Sequence, residues 1–180
     1  MPQADGSWMA PFRQKYREWW PLAEPLIREH KYQDAFKTYP FPKFAATPWT
    51  PLRKPLNKAK VALLTTSGLY RKGADMPFNG DHPEGDISFR LIPRDVARAS
   101  LDVLHPHIPQ EIAREDMNTV FPLWHLQDLQ RQKVVGIVAE LHYSILGYNT
   151  RAADVAEHVA PAIAALMKAE KVDLALIAPV

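Results

Sequence analysis

The chain of 180 residues has no cysteine. Disulfides, thiolate metal sites and a cysteine nucleophile are therefore excluded from this sequence, while the compartment is left open. Long apolar runs are also missing. The N-terminus, MPQADGSWMAPFRQKYREWW, lacks the apolar core of a signal peptide, and no later stretch approaches the roughly 18 apolar residues of a membrane span. A soluble, cytoplasmic protein with no membrane partner is expected. Neither a Walker loop nor a G-x-G-x-x-G is present, which argues against a nucleotide site. H-E-x-x-H, EF-hand and G-x-S-x-G spacings are absent too, so a zinc protease, a calcium hand and a hydrolase triad lack support.

What is present is a 47% hydrophobic chain of a size that makes one core. Its net charge of +2 is unevenly spread: residues 1–60 hold 11 Lys and Arg against 5 Asp and Glu, residues 61–180 hold 11 against 15, and the two parts should attract one another. The basic residues are scattered among Trp19, Trp20, Leu22, Leu26 and Ile27 rather than clustered. They read as a solvated face with snorkelling stems, and no nucleic-acid partner is expected.

Proline divides the chain. Nine of 17 prolines precede residue 60, and YPFPKFAATPWTPLRKPL cannot hold a regular helix, so an extended strap is expected there. Upstream, Phe12, Tyr16, Trp19, Trp20, Leu22, Leu26 and Ile27 recur at helical spacing, interrupted by Pro21 and Pro25, which predicts one or two short helices docked on the body. From residue 60, short apolar runs alternate with amphipathic ones. That texture predicts an α/β fold with a mostly parallel open sheet of about five strands and flanking helices. The expected strands are Lys60–Thr66, Ile87–Ile92 near an edge, Ser100–His105, Val134–Ala139 and finally VDLALIA, whose two apolar faces read as a central strand. A helix from Pro122 should bury Leu123, Leu126 and Leu129, and one from Thr150 should bury Val155, Val159, Ile163 and Leu166 with a kink at Pro161. The organisation is thus an N-terminal helical and proline-rich extension, 1–59, and an α/β domain, 60–180, expected to be truncated at its C-terminal end.

Ligands of open α/β sheets bind beyond the carboxyl ends of the strands. There the turn TTSGLYRKG places Thr65, Thr66, Ser67 and Gly68, whose amides and hydroxyls suit a carboxylate or phosphate, although an ordinary hydroxyl-capped turn explains them equally. The loop LHPHIPQEIAREDMNTVFP carries His105, His107, Asp116 and Asn118, and ELHYSILGY carries His142 and Tyr143. Three imidazoles and a carboxylate gathered at one rim would serve proton transfer or a metal; without ligand spacing, no metal is assigned. Asp75, Asp81, Glu84 and Asp86 read as a solvated acidic loop.

Taken in order, KVALLTTSGLY, GDISFRLIPRD, LDVLHPHI, EDMNTVFPLWHLQDL, VVGIVAELHYSILGY and KVDLALIAPV resemble the B-subunit family of glycine, sarcosine, betaine and D-proline reductases, the selenoprotein B family. The resemblance covers Lys60 to Val180. It implies reductive cleavage of a C–N bond in a small amino acid or methylated amine by an oligomeric assembly with partner reductase subunits, one of which carries a pyruvoyl group. It also implies a selenocysteine or cysteine just beyond Val180, with no cofactor in this chain itself. On that basis His105, His107 and His142 would be proton donors or orienters, and Thr66, Ser67, Gly68, Asp116, Asn118 and Tyr143 would contact substrate. The alternative is a non-catalytic α/β binding or scaffold subunit without a redox centre.

Overall fold

The computed structural model describes residues 7–44 and 49–180. Its elements run α1 (Ala10–Arg28), α2 (Tyr32–Phe36), β1 (Lys60–Thr65), β2 (Leu69–Arg71), β3 (Phe89–Pro93), β4 (Leu101–Val103), α3 (Gln110–Glu115), α4 (Leu123–Arg131), β5 (Ile137–Val138), β6 (Leu141–Ile145), α5 (Ala152–Asp154), α6 (Ala160–Ala169) and β7 (Leu174–Ala178). The class is α/β, with a mostly parallel sheet of five strands.

Strand β1 is the axis of that sheet. On one flank it pairs in parallel with β7, from Val61↔Leu174 to Thr65↔Ala178. On the other flank it pairs in parallel first with β5 and then with β6, and β3 lies antiparallel beyond β6. The period of two assigns the faces. Val61 and Leu63 enter a core with Phe121, Leu123 and Leu126, while Ala62 and Leu64 enter a second core with Tyr143, Val159 and Ile163. Each large apolar side chain so buried contributes about 1.5–3 kcal/mol, which is why a run apolar on both faces takes the centre of the sheet.

Several expectations are corrected by this arrangement. The last strand is not central: β7 has β1 on one flank only among the described residues, and Leu176 and Ile177 are 42% and 57% exposed. The apolar run satisfies the pattern for a covered strand, but β1 occupies the axis. The strand expected at Ser100–His105 exists as β4, yet it pairs with β2 in a separate ribbon rather than joining the main sheet. The run Val134–Ala139 yields only the two residues of β5, and pairing resumes in β6, a strand not among those expected. Leu129 is exposed on α4.

At the N-terminus, α1 continues through Pro21 and Pro25 for 19 residues. Both prolines lie on its exposed side, where the forfeited hydrogen bonds are solvated, and the opposite side is fixed by Trp19, Ala23 and Ile27 packing on Ala35. Tertiary packing here outweighs the local proline penalty. Of the expected strap, residues 45–48 lie outside the described residues; its described parts contain no helix or strand apart from the 3-10 turn Leu56–Lys58. The kink at Pro161 takes the form of a π-helical turn, Val155–Val159, between α5 and α6.

The extension docks through polar contacts as well as rings. Tyr16 Oη donates to Glu84 Oε1 at 2.8 Å and lies 2.9 Å from Thr150 Oγ1, and Tyr39 Oη donates to the Thr150 carbonyl at 2.8 Å. Arg13 pairs with Asp154 and Glu157, and Lys54 with Asp173 at 2.8 Å, so the opposite charges of the two parts do meet. Replacing Tyr16 by Phe removes a half-buried donor from this joint and should lower unfolding stability by about 1 kcal/mol, read as a shift of the urea midpoint at unchanged slope; an unshifted midpoint would show that the joint carries no stability.

Candidate functional site

The carboxyl ends of β1 and β6 meet in a closed network. The turn after β1 needs glycine at position 68, because φ is +68° there and a Cβ would lie 2.2 Å from the Leu104 carbonyl oxygen. Gly68 donates its N–H to Ile145 O at 3.0 Å and accepts from Leu104 N at 3.1 Å. Ser67 is fully buried, with its N–H on Thr65 Oγ1 (3.2 Å) and its hydroxyl 2.9 Å from the same atom; Thr65 in turn donates to Val120 O at 2.7 Å. Thr66 N–H donates to Ala178 O at 3.2 Å and Gly147 N–H to Thr66 O at 2.7 Å. The amides of Thr66, Ser67, Gly68 and Gly147 are therefore all committed inside the protein, and the backbone cradle expected for a carboxylate is not free. Only the Thr66 side chain reaches the rim, where its Oγ1 accepts from Val180 N at 2.8 Å.

The three candidate histidines do not converge. His105 belongs to the rim. It is buried, its Nδ1 accepts from His107 N at 3.2 Å, and its Nε2 makes no hydrogen bond to the described residues. That atom faces Gly147: a Cβ there would stand 3.1 Å from both His105 Nε2 and Thr66 Oγ1. Burial, and secondarily the neighbouring His107, push the imidazole below its ordinary pKa, which keeps it neutral. The His107 ring stands edge-on to that of His105, with centroids 6.0 Å apart, and lines a different opening. Its ring stands edge-on to Tyr32 and Tyr148, with centroids 4.6 Å away in each case, in a cleft of about 400 Å³ that also receives Arg28, His30 and His82.

His142 is a core residue. It sits on β6 with no exposed surface, edge-on to Phe121, and its Nδ1 accepts from Leu63 N at 2.9 Å. Tyr143, next along the strand, is buried on the other face of the sheet with Ala62, Val159 and Ile163. Asp116 and Asn118 bond each other: the carboxylate accepts from Asn118 N at 3.0 Å and Nδ2 at 3.1 Å, capping a 3-10 turn. Those two bonds, chiefly the backbone one, hold the Asp116 carboxyl below the usual range.

Sequence reasoning missed two parts of the rim. One is Gly147, which carries no motif. The other is an apolar pocket of about 310 Å³ over Thr66, Leu146 and Gly147, walled by Trp8, Pro42 and Phe44 from the extension. Among the described residues no group of three or more His, Asp or Glu is placed to hold a metal ion, and no helix is long and apolar enough to cross a membrane.

This is an α/β protein whose parallel strands end at a rim with an apolar pocket, one side of which is supplied by the N-terminal segment. Residues 24–179 match the family described as glycine/sarcosine/betaine reductase selenoprotein B, and the chain belongs to that family. It is 32% identical over 129 residues to D-proline reductase subunit gamma of Acetoanaerobium sticklandii, covering 72% of this chain and 52% of that protein. Against the glycine reductase complex component B subunit gamma of Symbiobacterium thermophilum the identity is 29% over 166 residues, covering 86% of this chain and 36% of that protein. Sarcosine reductase complex component B subunit beta of Peptoclostridium acidaminophilum is 28% identical over 124 residues, 65% of this chain and 27% of that protein. The chain thus spans about half or less of the length of these curated relatives. No solved structure matches it.

His142 yields a test with a worked sign. Its pKa is lowered from 6.5 to about 4, first by burial and then by Arg94. The unfolded chain therefore takes up this proton at higher pH than the folded one. The stability tied to the neutral ring is fully present above pH 6.5 and is lost as pH falls towards 4, by up to about 3 kcal/mol. His142→Leu should abolish that slope and, by leaving Leu63 N–H unpaired, cost about 1–3 kcal/mol at pH 7. Urea titrations of both proteins at several pH values read both effects.

Proposed function

We propose that this chain forms part of a reductase B-type subunit acting with partner subunits on the C–N bond of a small amino acid or methylated amine, as the names of its relatives suggest. The carrying observation is the hydrogen bond from Val180 N to Thr66 Oγ1, which fixes the Pro179–Val180 segment on the rim that His105 Nε2 faces. A selenocysteine or cysteine directly after Val180 would enter the site from that fixed point.

The residues present fit such a group. His105 Nε2 is a buried polar atom with no partner among the described residues, and the adjoining pocket is mostly apolar, surroundings that suit a soft nucleophile. When present, a selenolate or thiolate supplies the electron pair that breaks the C–N bond, and thiols restore it. A pyruvoyl group in a partner subunit is proposed to activate the amine. The roles of this chain are then to position and to exclude water. Thr66 holds the backbone at Val180; His105 presents an N–H; Trp8, Pro42 and Phe44 wall the pocket. His107 faces the neighbouring cleft, while Ser67, Gly68, His142 and Tyr143 shape the scaffold from within.

The second reading, a binding or scaffold subunit without a redox centre, rests on the absence of cysteine from the 180 residues. The coding sequence after the Val180 codon separates the two: a UGA or cysteine codon in frame supports the reductase reading, and any other codon removes it. In the assembled complex, Thr66→Val should lower kcat about tenfold with KM little changed, as expected for one lost neutral hydrogen bond, and Thr66→Ser should restore it. Equal activity in the Val variant would show that the anchoring of Val180 does not matter to turnover.

A further inference from the structure

The rim spends its amides inside the protein and leaves one side-chain nitrogen over, whose functional role rests on the proposed reductase reading. With Thr66, Ser67, Gly68 and Gly147 N–H all spent within the protein, and Thr66 Oγ1 taken up with Val180, the polar group of this network with no partner among the described residues is His105 Nε2. The orientation of its ring is set from behind. His107 N donates to Nδ1, and the bond is short-range and built into the loop, since the two residues are separated only by Pro106. A nitrogen that accepts a backbone N–H cannot also carry a proton, so the neutral ring must place its single proton on Nε2.

We infer that His105 acts as a fixed hydrogen-bond donor to the reacting group, held as the Nε2–H tautomer by the His107 amide, and not as the general acid of the reaction. To become an acid the ring would first have to gain a proton at Nδ1, against the His107 N–H that faces it. Among the described residues the ionisable group that acts on His105 is His107, a like-charge neighbour, and no carboxylate there pairs with either ring. No counter-charge among them stabilises an imidazolium. A neutral donor buried beside Gly147, which lines the apolar pocket, suits charge that develops on the reacting atom or the leaving nitrogen, because such a dipole needs no reorganisation during the step. The proton that the departing nitrogen requires must then come from another source, such as water, a thiol or the partner subunit.

Gly147 is the accessory to this role. Its φ lies outside the left-handed region, so the backbone does not demand glycine there; the space between His105 Nε2 and Thr66 Oγ1 does, since a Cβ would stand 3.1 Å from each and 2.9 Å from Thr66 O. A methyl group at 147 would stand between the donor and whatever approaches it.

Two measurements decide the matter. Long-range 15N–1H correlation spectra of the uniformly 15N-labelled full chain should show His105 with a protonated Nε2 and an unprotonated Nδ1, unchanged through the ordinary imidazole titration near pH 6.5. An Nδ1–H tautomer, or conversion to imidazolium in that range, overturns the inference whatever the activity of the complex. In the assembled reductase, His105→Gln, which can still present an N–H, should keep kcat within about tenfold of the parent, whereas His105→Ala should lose about 100-fold, with the acid limb of the pH profile unmoved in the Gln variant. Equal losses in the two variants, with melting temperatures matched, overturn the donor role. If the parent complex turns over no amine at all, the proposed function fails, and the spectra alone decide the tautomer.

Discussion

Leu63 has a backbone N–H that no neighbouring strand accepts, and much of the architecture follows from how it is satisfied. Strand β1 must be paired on both flanks to serve as the axis of the sheet, but its neighbour on one side is broken into β5 and β6. Val61 O is still met by Ala139 N at 2.9 Å, after which the partner chain bows outward through Glu140. An unpaired amide at this depth would cost about 1–3 kcal/mol. The imidazole of His142 takes the missing position in the ladder, and pairing resumes at Leu64↔Tyr143. The side chain thus does the work of a peptide carbonyl and lets β1 run straight to Thr65, where the rim begins.

The same economy governs the N-terminal extension. It brings rings and cations to a body that carries the acidic excess, and several of its contacts fall on the segment just after β6. Tyr16 and Tyr39 both meet Thr150, and Arg13 meets Asp154 and Glu157 at the start of the last helical stretch. Partly exposed ion pairs of this kind contribute little individually; the apolar contact of Met9 and Phe12 with Ala153 desolvates the joint itself, while the ring cluster around Trp19 holds the extension together internally. Because that docking also sets Trp8 and Phe44 beside Thr66 and Gly147, the stability of the joint and the shelter of the rim are the same physical fact.

The α/β class was legible because β1 is apolar on both faces and the helices that cover it repeat at their own period. What could not be read was which apolar run takes the axis. VDLALIA and KVALLT look alike by composition, and only the pairing shows that the first is an edge. Strand β6 did carry a signal, since Leu141, Tyr143 and Ile145 alternate with His142 and Ser144, but two buried polar residues disguised it. At the site, His105 and Thr66 were recognisable as chemistry-bearing residues at strand ends. His142 was not separable from them by type, because an imidazole that replaces a peptide acceptor and one that faces a ligand are the same letter; long-range pairing alone distinguishes them. Gly147 could not be found at all, since its significance is the absence of an atom between two side chains distant in sequence.

A hydroxyl-rich turn after a parallel strand invites the reading of an anion cradle, and here the count of donors argues against it. An anion site of that kind needs several amides left over after the fold has satisfied itself. This turn has none to spare: one amide closes the β1–β7 ladder, one caps the turn on Thr65, one reaches across to Ile145, and Gly147 answers Thr66 O. What remains at the rim, among the described residues, is His105 Nε2 and an apolar wall. That inventory suits a weakly charged or neutral group far better than the capture of a free carboxylate. It follows that an anionic ligand group would have to be met away from this rim, in the neighbouring cleft where Arg28, His30, His82 and His107 outnumber Asp81.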